Sequence, residues 1–206
     1  MTDPVRRPPA SRLHAAAGAV SEREAGWDLP ARYGDVAVER ERLTTSVVIA
    51  DVTPRAKVDV RGRIEGIFEA AGGIAARVGP DWGLILGSPG DEDRLVAAAQ
   101  AAGPGTMVTD VTHLFAGYAL AGPALDDLMP RITGWDHRRL APGAATGAAI
   151  GEVRAIVVRR DLTFPCLEVY VATEFARYAW ETYAGAVART GGGPVGWIAL
   201  REEGWT

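Results

Sequence analysis

The residues able to do covalent or acid–base chemistry are few and far apart in this chain. Lys57 is its only lysine, so an imine-forming amine or a phosphate-cradling P-loop lysine has nowhere else to sit. Cys166 is its only cysteine. It can close no internal disulfide, and with no histidine near it in sequence it reads as buried filler rather than nucleophile. His14, His113 and His137 are scattered, which leaves no Cys/His metal cluster to draw. His113 follows a strand over 107–111 and could act as a base, but it stands unpaired. Trp27 and Tyr33 lie in an early loop, where they could cover a flat ring or fix the loop to the core. A Walker loop, a dinucleotide fingerprint, a nucleophile-elbow serine and a His-Glu-x-x-His motif are all missing. Gly191-Gly-Gly193 lacks the lysine and helix start of a phosphate cradle and serves as a turn.

Composition sets the scale on which these residues can be positioned. The chain has 206 residues, 48% of them hydrophobic and 23% charged, with a mean hydropathy of +0.02. That suits one large domain or two small halves with a substantial core, and it is too apolar for disorder. No apolar run approaches the roughly 18 residues of a membrane span. A net charge of −4 argues against duplex nucleic acid as the main partner, because that needs a concentrated basic face. Residues 1–9 carry two arginines and no apolar stretch, so they read as a disordered tail rather than a leader or an anchor. With the lone cysteine this points to the reducing cytoplasm, and to a folded domain over 10–206.

Periodicity then supplies the elements. Leu13, Ala16, Ala17 and Val20 predict a helix over 13–24, stopped by Gly26 and Pro30; a loop and a charged helix over 36–43 follow. Ser46-Val-Val-Ile-Ala50 reads as a buried strand, and 56–61 as an alternating one with Val58 and Val60 on one face and Lys57, Asp59 and Arg61 on the other. From there a pattern of strand, Gly, helix, strand, helix appears twice. The first copy has strands at 57–61 and 82–86 and helices at 63–71 and 91–101; the second has strands at 118–121, 153–159 and 166–171 and helices at 124–132 and 173–188. An insertion over 133–151 breaks the register. In the last helix Phe175, Tyr178, Ala179, Thr182 and Val187 make an apolar stripe for the core. The expected fold is α+β: two ferredoxin-like, or split β-α-β, units with lobes over roughly 46–105 and 106–206.

A collinear series of short motifs gives this pattern a family. Ser11-Arg-Leu-His-Ala15, Ala25-Gly-Trp-Asp-Leu-Pro30, Ile49-Ala-Asp-Val-Thr53 and Lys57-Val-Asp-Val-Arg-Gly62 resemble, in order and spacing, the opening of glycine-cleavage T-protein, the tetrahydrofolate-dependent aminomethyltransferase. Tyr118-Ala-Leu-Ala-Gly-Pro123, Leu167-Glu-Val-Tyr-Val171 and Pro194-Val-Gly196 look like the second half of its folate-binding domain. In length the chain is similar to the small gamma subunit of heterotetrameric sarcosine oxidase, without the C-terminal barrel of a T-protein. The resemblance implies one-carbon chemistry with tetrahydrofolate, a folate-like ligand and a larger flavoprotein-type partner subunit that completes the pocket; composition and the scattered histidines add the expectation of no metal and no nucleic-acid or membrane partner.

The site residues that the resemblance implies are only partly present. In the family a carboxylate after a Gly-Gly pair orients the folate and stabilises developing positive charge. Here that stretch reads Gly72-Gly-Ile-Ala-Ala-Arg77, which leaves Asp81 as the candidate catalytic acid unless it is a turn residue of Pro80-Asp81-Trp82. The glutamate that clasps the pterin edge is replaced by Phe164, and Glu168 matches a second family acid, with a solvent-facing strand position as the other reading. Arg201 falls where the family has an arginine, or else forms a surface pair with Glu202 or Glu203. Tyr33, Trp82 and Asp51 complete the expected cofactor-binding set, Asp51 having a turn cap as its alternative role.

Overall fold

The computed structural model describes residues 4–205. Its elements in chain order are α1 (Ser11–Ala16), β1 (Val20–Glu24), β2 (Trp27–Arg32), α2 (Val36–Thr45), β3 (Val48–Asp51), β4 (Ala56–Arg61), α3 (Ile67–Ala71), β5 (Ile74–Gly79), β6 (Trp82–Gly87), α4 (Glu92–Ala102) and β7 (Met107–Asp110). They continue with β8 (Phe115–Ala121), α5 (Leu125–Leu128), β9 (Ala145–Ile150), β10 (Val153–Arg159), β11 (Cys166–Ala172), α6 (Ala176–Arg189), β12 (Gly193–Pro194) and α7 (Trp197–Glu202).

The repeated unit is visible in the strand orders. β4-α3-β5-β6-α4-β7 is a split β-α-β unit whose antiparallel sheet runs β5-β6-β4-β7. The larger sheet runs β12-β3-β8-β11-β10-β9. With β8, β10, β11 and β12 taken as its four strands, it repeats the order of the smaller sheet, with β3 inserted beside β8 and β9 added at the far edge. β3 therefore belongs to the larger sheet, not to the first lobe in which its sequence position places it.

Side-chain alternation decides which faces are covered. On β11, Leu167, Val169 and Val171 pack under α6 together with Ala179, Trp180 and Tyr183, while Cys166 and Tyr170 face the smaller sheet. On the smaller sheet, Val58, Val60 and Ile85 pack beneath α3 and α4, and Ala76, Leu84 and Leu86 face the larger one. The result is four layers: α6, the six-stranded sheet, the four-stranded sheet, then α3 and α4. Both faces of β4 and β11 are buried, which is why charged residues at Lys57 and Glu168 end up inside.

Three expectations need correction. Residues 13–24 form α1 and then β1 of a hairpin, because Ala25 (φ 46°) and Gly26 (φ 80°) make a tight turn into β2. Arg6, assigned to a disordered tail, bridges Trp27 through Arg6 N–H to Gly26 O and Asp28 N–H to Arg6 O, each 2.9 Å; Met1–Asp3 of that tail lie outside the described residues. The buried face of α6 is Ala176, Ala179, Trp180, Tyr183, Ala186 and Val187, one step round from the expected stripe, so Phe175 and Tyr178 are exposed at 42% and 46%.

The loop into α7 is fixed by Glu39. Its carboxylate, 1% exposed, accepts from the backbone N–H groups of Tyr33 (2.6 Å), Gly34 (2.9 Å) and Gly196 (2.7 Å), tying α2 to both β2 and α7. A Cβ at Gly196 would lie 2.0 Å from Ala31 O. Gly196→Ala is therefore expected to cost at least about 2 kcal/mol and lower Tm by roughly 5 °C or more. Gly34→Ala, where a Cβ meets open space, should leave Tm near wild type. Equal melting of the two variants would contradict the close approach.

Candidate functional site

Between the two sheets lies a hollow of about 850 Å3. The inter-sheet face of the larger sheet supplies Tyr170 from β11, Arg154 and Ile156 from β10 and Phe115 from β8, and Trp82 closes it from β6 of the smaller sheet. Small residues make the room: Gly147, Ala149 and Ala172 stand where bulkier side chains would fill it. Glu152, in the β9–β10 turn with φ 65°, and Arg154 are both exposed. The Arg154 guanidinium has no hydrogen-bond or ion-pair partner among the described residues. Trp82 is held by its Nε1–H donating to Asp59 Oδ1 (2.7 Å), and the same carboxylate accepts from Arg61 Nε (2.7 Å).

Behind Tyr170 sits a buried charge cluster. Glu168 is 0% exposed. Its Oε1 accepts from Arg160 Nη1 and from Trp205 Nε1–H (2.9 Å), and its Oε2 from the Tyr170 hydroxyl (2.5 Å), with Arg55 Nε 3.7 Å away. Burial pushes the Glu168 carboxyl up, but the Arg55 and Arg160 charges and the Tyr170 and Arg160 hydrogen bonds outweigh it and hold the group below its ordinary value. Glu168 is thus an interior anion whose oxygens are engaged by the protein, not a solvent-facing strand residue. Burial pushes the Cys166 thiol up, so it stays protonated and is no nucleophile.

A second buried chain of polar groups joins α1 to β3. His14 Nε2 lies 2.6 Å from Asp51 Oδ2, and the Tyr33 hydroxyl lies 2.8 Å from His14 Nδ1. Asp51 Oδ1 accepts from Thr53 N–H (2.8 Å), and Trp197 Nε1–H donates to Asp51 O (2.8 Å). With His14 at 2% and Asp51 at 0% exposure, and Trp180 edge-on to His14 at 4.3 Å, this is a dry pin between elements.

The expected site residues therefore separate. Trp82 lines the hollow. Glu168 lies one side chain beyond it, behind Tyr170. Asp51 and Tyr33 belong to the His14 pin. Asp81 sits in the exposed β5–β6 turn, its carbonyl accepting from Gly62 N–H at 2.9 Å, and it is not among the lining residues. Arg201 makes a bidentate pair with Glu24 (2.7 and 2.5 Å). Glu202 and Glu203 pair with Arg40 instead. Phe164 packs against the inter-sheet core, and Ala75–Arg77 form part of β5 with no carboxylate. Sequence reasoning missed Arg154, Arg55, Arg160, Trp205 and the role of His14. The one available signal was the surplus of arginine over lysine, since a delocalised, always-charged guanidinium is the cation that tolerates burial.

These strand orders can be set beside known proteins. No protein-family model matches the chain. The aminomethyltransferase of Geobacillus kaustophilus (strain HTA426) is 26% identical over 216 residues, covering 90% of this chain and 59% of that protein. The aminomethyltransferase of Geobacillus thermodenitrificans (strain NG80-2) is 23% identical over 223 residues, covering 93% and 61%. Glycine cleavage system aminomethyltransferase T from Bartonella henselae superposes with a TM-score of 0.77 at 18% identity, over 97% of this chain and 62% of that one. The chain has the T-protein fold and is similar in sequence to these aminomethyltransferases. It spans about three fifths of the length of those relatives. A chain of heterotetrameric sarcosine oxidase from Corynebacterium sp. U-96, solved in complex with pyrrole 2-carboxylate, superposes with a TM-score of 0.64 at 17% identity, over 90% of this chain and 96% of that one. Among the described residues no helix of this T-protein-fold chain is long and apolar enough to cross a membrane, and no group of three or more His, Cys, Asp or Glu is arranged to hold a metal.

The sheet-to-sheet crossing also buries Lys57, whose Nζ donates to the carbonyls of Thr53 (2.8 Å), Arg55 (2.9 Å) and Thr112 (3.3 Å). Burial, only partly offset by Asp51, pulls its pKa down to about 7. Between there and the unfolded lysine value of about 10.4, the unfolded chain holds a proton that the folded chain has shed, so stability rises with pH. The urea midpoint should climb from pH 7 to 9, equivalent to at most about 1.4 kcal/mol per pH unit, and Lys57→Met should flatten the climb. Parallel profiles for the two proteins would contradict a depressed Lys57.

Proposed function

We propose that this chain binds a reduced folate, tetrahydrofolate, in the hollow between its sheets, and that it does so as a subunit or degenerate relative of the aminomethyltransferases rather than as a self-sufficient transferase. The carrying observation is the hollow itself: about 850 Å3, walled by Trp82, Phe115, Tyr170 and Phe175, with Arg154 uncommitted at its side. A folate needs a flat apolar slot for its ring system and a cation for its acidic tail, and this lining offers both. Tetrahydrofolate would supply the one-carbon acceptor. Trp82 and Phe115, the half-buried aromatics of the lining, would flank its rings and Arg154 would pair with a tail carboxylate.

Transfer chemistry is less well provided for. Glu152 is the one carboxylate among the lining residues, β5 offers none after Gly72-Gly73, and Glu168 has its oxygens engaged by Arg160, Trp205 and Tyr170. Neither Asp81 nor Glu168, the acids that the family resemblance singled out, is among the lining residues. A binding role beside a second polypeptide, of the larger flavoprotein type, is the reading this favours. It is supported by the near-complete coverage of a chain from a heterotetrameric oxidase. The reducing cytoplasm, where one lone buried thiol survives unpaired, is the compartment that goes with it.

Calorimetric titration with tetrahydrofolate under anaerobic conditions tests the reading. Saturable binding is expected, weakened about 10- to 100-fold in Arg154→Ala, the size of a lost charged hydrogen bond. No aminomethyl transfer is expected from the chain alone. Absence of heat at millimolar ligand would remove the folate reading, and turnover by the isolated chain would restore the transferase one.

A further inference from the structure

The insertion that breaks the repeat encloses a cavity of its own. Ahead of β9 the chain folds around a space of about 370 Å3 that shares no lining residue with the inter-sheet hollow. Its frame is tied by the protein itself. Thr133 Oγ1 donates to Ala149 O (2.7 Å) and accepts from Trp135 N–H (3.0 Å). Asp136 caps the 3-10 turn His137–Arg139, accepting from Arg138 N–H (3.3 Å) and from Arg138 Nε–H (2.8 Å).

In the cavity wall His137 is 7% exposed. Its Nε2 lies 2.8 Å from Oδ1 of Asp126 on α5, and a carboxylate there puts the proton of the neutral ring on Nε2. That leaves Nδ1 as an acceptor. Nδ1 has no hydrogen-bond partner among the described residues and is not sealed from water, so it opens on the cavity that His137 lines. A ring nitrogen of a buried side chain, left unmatched by the protein, calls for a donor from outside. Asp126 Oδ2 is likewise unmatched among the described residues.

Charge decides what kind of donor fits. Asp126 and Asp136 line the cavity with a single guanidinium, that of Arg138, which Asp136 already engages. The unspent groups are a carboxylate oxygen and a ring nitrogen, both acceptors in a net negative surround. Pro130 and Trp135 add apolar surface beside them. An anion would face two carboxylates, and a neutral donor would leave Asp126 without a counter-charge. An alkylammonium ion meets every demand: charge for Asp126, a further N–H for His137 and carbon for the apolar wall.

We propose that this cavity binds a small primary or secondary alkylammonium ion, whose N–H groups are shared between Asp126 Oδ2 and His137 Nδ1. Tertiary and quaternary ions carry too few N–H groups to reach both acceptors, so the site discriminates by the hydrogens on the ligand nitrogen. The inference goes beyond the folate reading and does not depend on it, since no residue of the hollow takes part.

Nitrogen NMR of the labelled full chain reads the site, because an unprotonated imidazole nitrogen shifts when it accepts a hydrogen bond. With three histidines to sort, His137→Gln assigns the signal, and the Trp135 indole N–H is the second reporter should that variant not fold. Propylammonium is expected to shift both signals saturably at millimolar concentration. Tetramethylammonium, with the charge and no N–H, and 1-propanol, with the chain and no charge, should each bind at least about tenfold more weakly. Asp126→Asn, at an exposed position that can still accept from His137, should fold as wild type and bind propylammonium about tenfold more weakly or worse. Nα-acetyl-lysine amide brings the same ammonium on a bulkier stem and is expected to bind no more tightly than propylammonium. Absence of saturable shifts, equal binding of tetramethylammonium, or undiminished affinity in Asp126→Asn would each overturn the proposal. Tighter binding of the lysine derivative would overturn the small-molecule assignment in favour of another protein's side chain.

Discussion

A carboxylate between two guanidiniums, sealed from water at the seam of two sheets, is the constraint around which this molecule is arranged. Taking Glu168, Arg55 and Arg160 out of solvent costs several kcal/mol per ion, and their mutual attraction offsets that only when geometry and hydrogen bonding are complete. Here they are nearly so: Tyr170 and Trp205 add neutral donors to the two cations. The donors come from different parts of the chain. Arg55 lies in the β3–β4 connection that crosses from one sheet to the other, Arg160 follows β10, and Trp205 follows α7. Misplacing any one of these segments leaves a buried charge unmatched, so the cluster specifies how the two units and α7 come together more than it adds to net stability.

The same seam explains where the hollow lies. Aliphatic side chains close the inter-sheet layer on the Leu84, Leu86 and Val158 side. Toward β9 the larger sheet carries Gly147 and Ala149 on its inter-sheet face, and the layer opens. Tyr170 separates the open part from the charged part. One alternating strand, β11, therefore presents thiol, carboxylate and phenol in succession along a single face, each in a different environment.

The repeat was legible in the sequence because it is written locally. Alternation at Val58 and Val60, the apolar runs of β6, β10 and β11, and the glycines that follow β4 and β8 mark the units whatever lies between. β5 and β9 were illegible, since Ile74–Gly79 follows a Gly-Gly pair and Ala145–Ile150 is rich in alanine, and neither pattern distinguishes a strand from a loop. Resemblance found the T-protein fold and singled out Glu168 among the acids but could not foresee that residue's partners. His14 and Asp51 are 37 positions apart, Arg201 and Glu24 177, and periodicity carries no information over such separations. Asp81 shows the converse: a chemically suitable residue near the right motif that the β5–β6 turn carries out to solvent.

The charge state of Glu168 can be read directly. With glutamate labelled at the side-chain carboxyl carbon and Glu168→Gln used for assignment, carbon NMR over an acid titration of the folded protein reports that one group. The cluster described here requires Glu168 to remain a carboxylate well below the midpoint of the exposed glutamates, until the protein itself unfolds. A resonance that titrates at or above the ordinary glutamate value, or that is already protonated at neutral pH, would mean that burial outweighs the two arginines and that the seam is not built on this ion cluster.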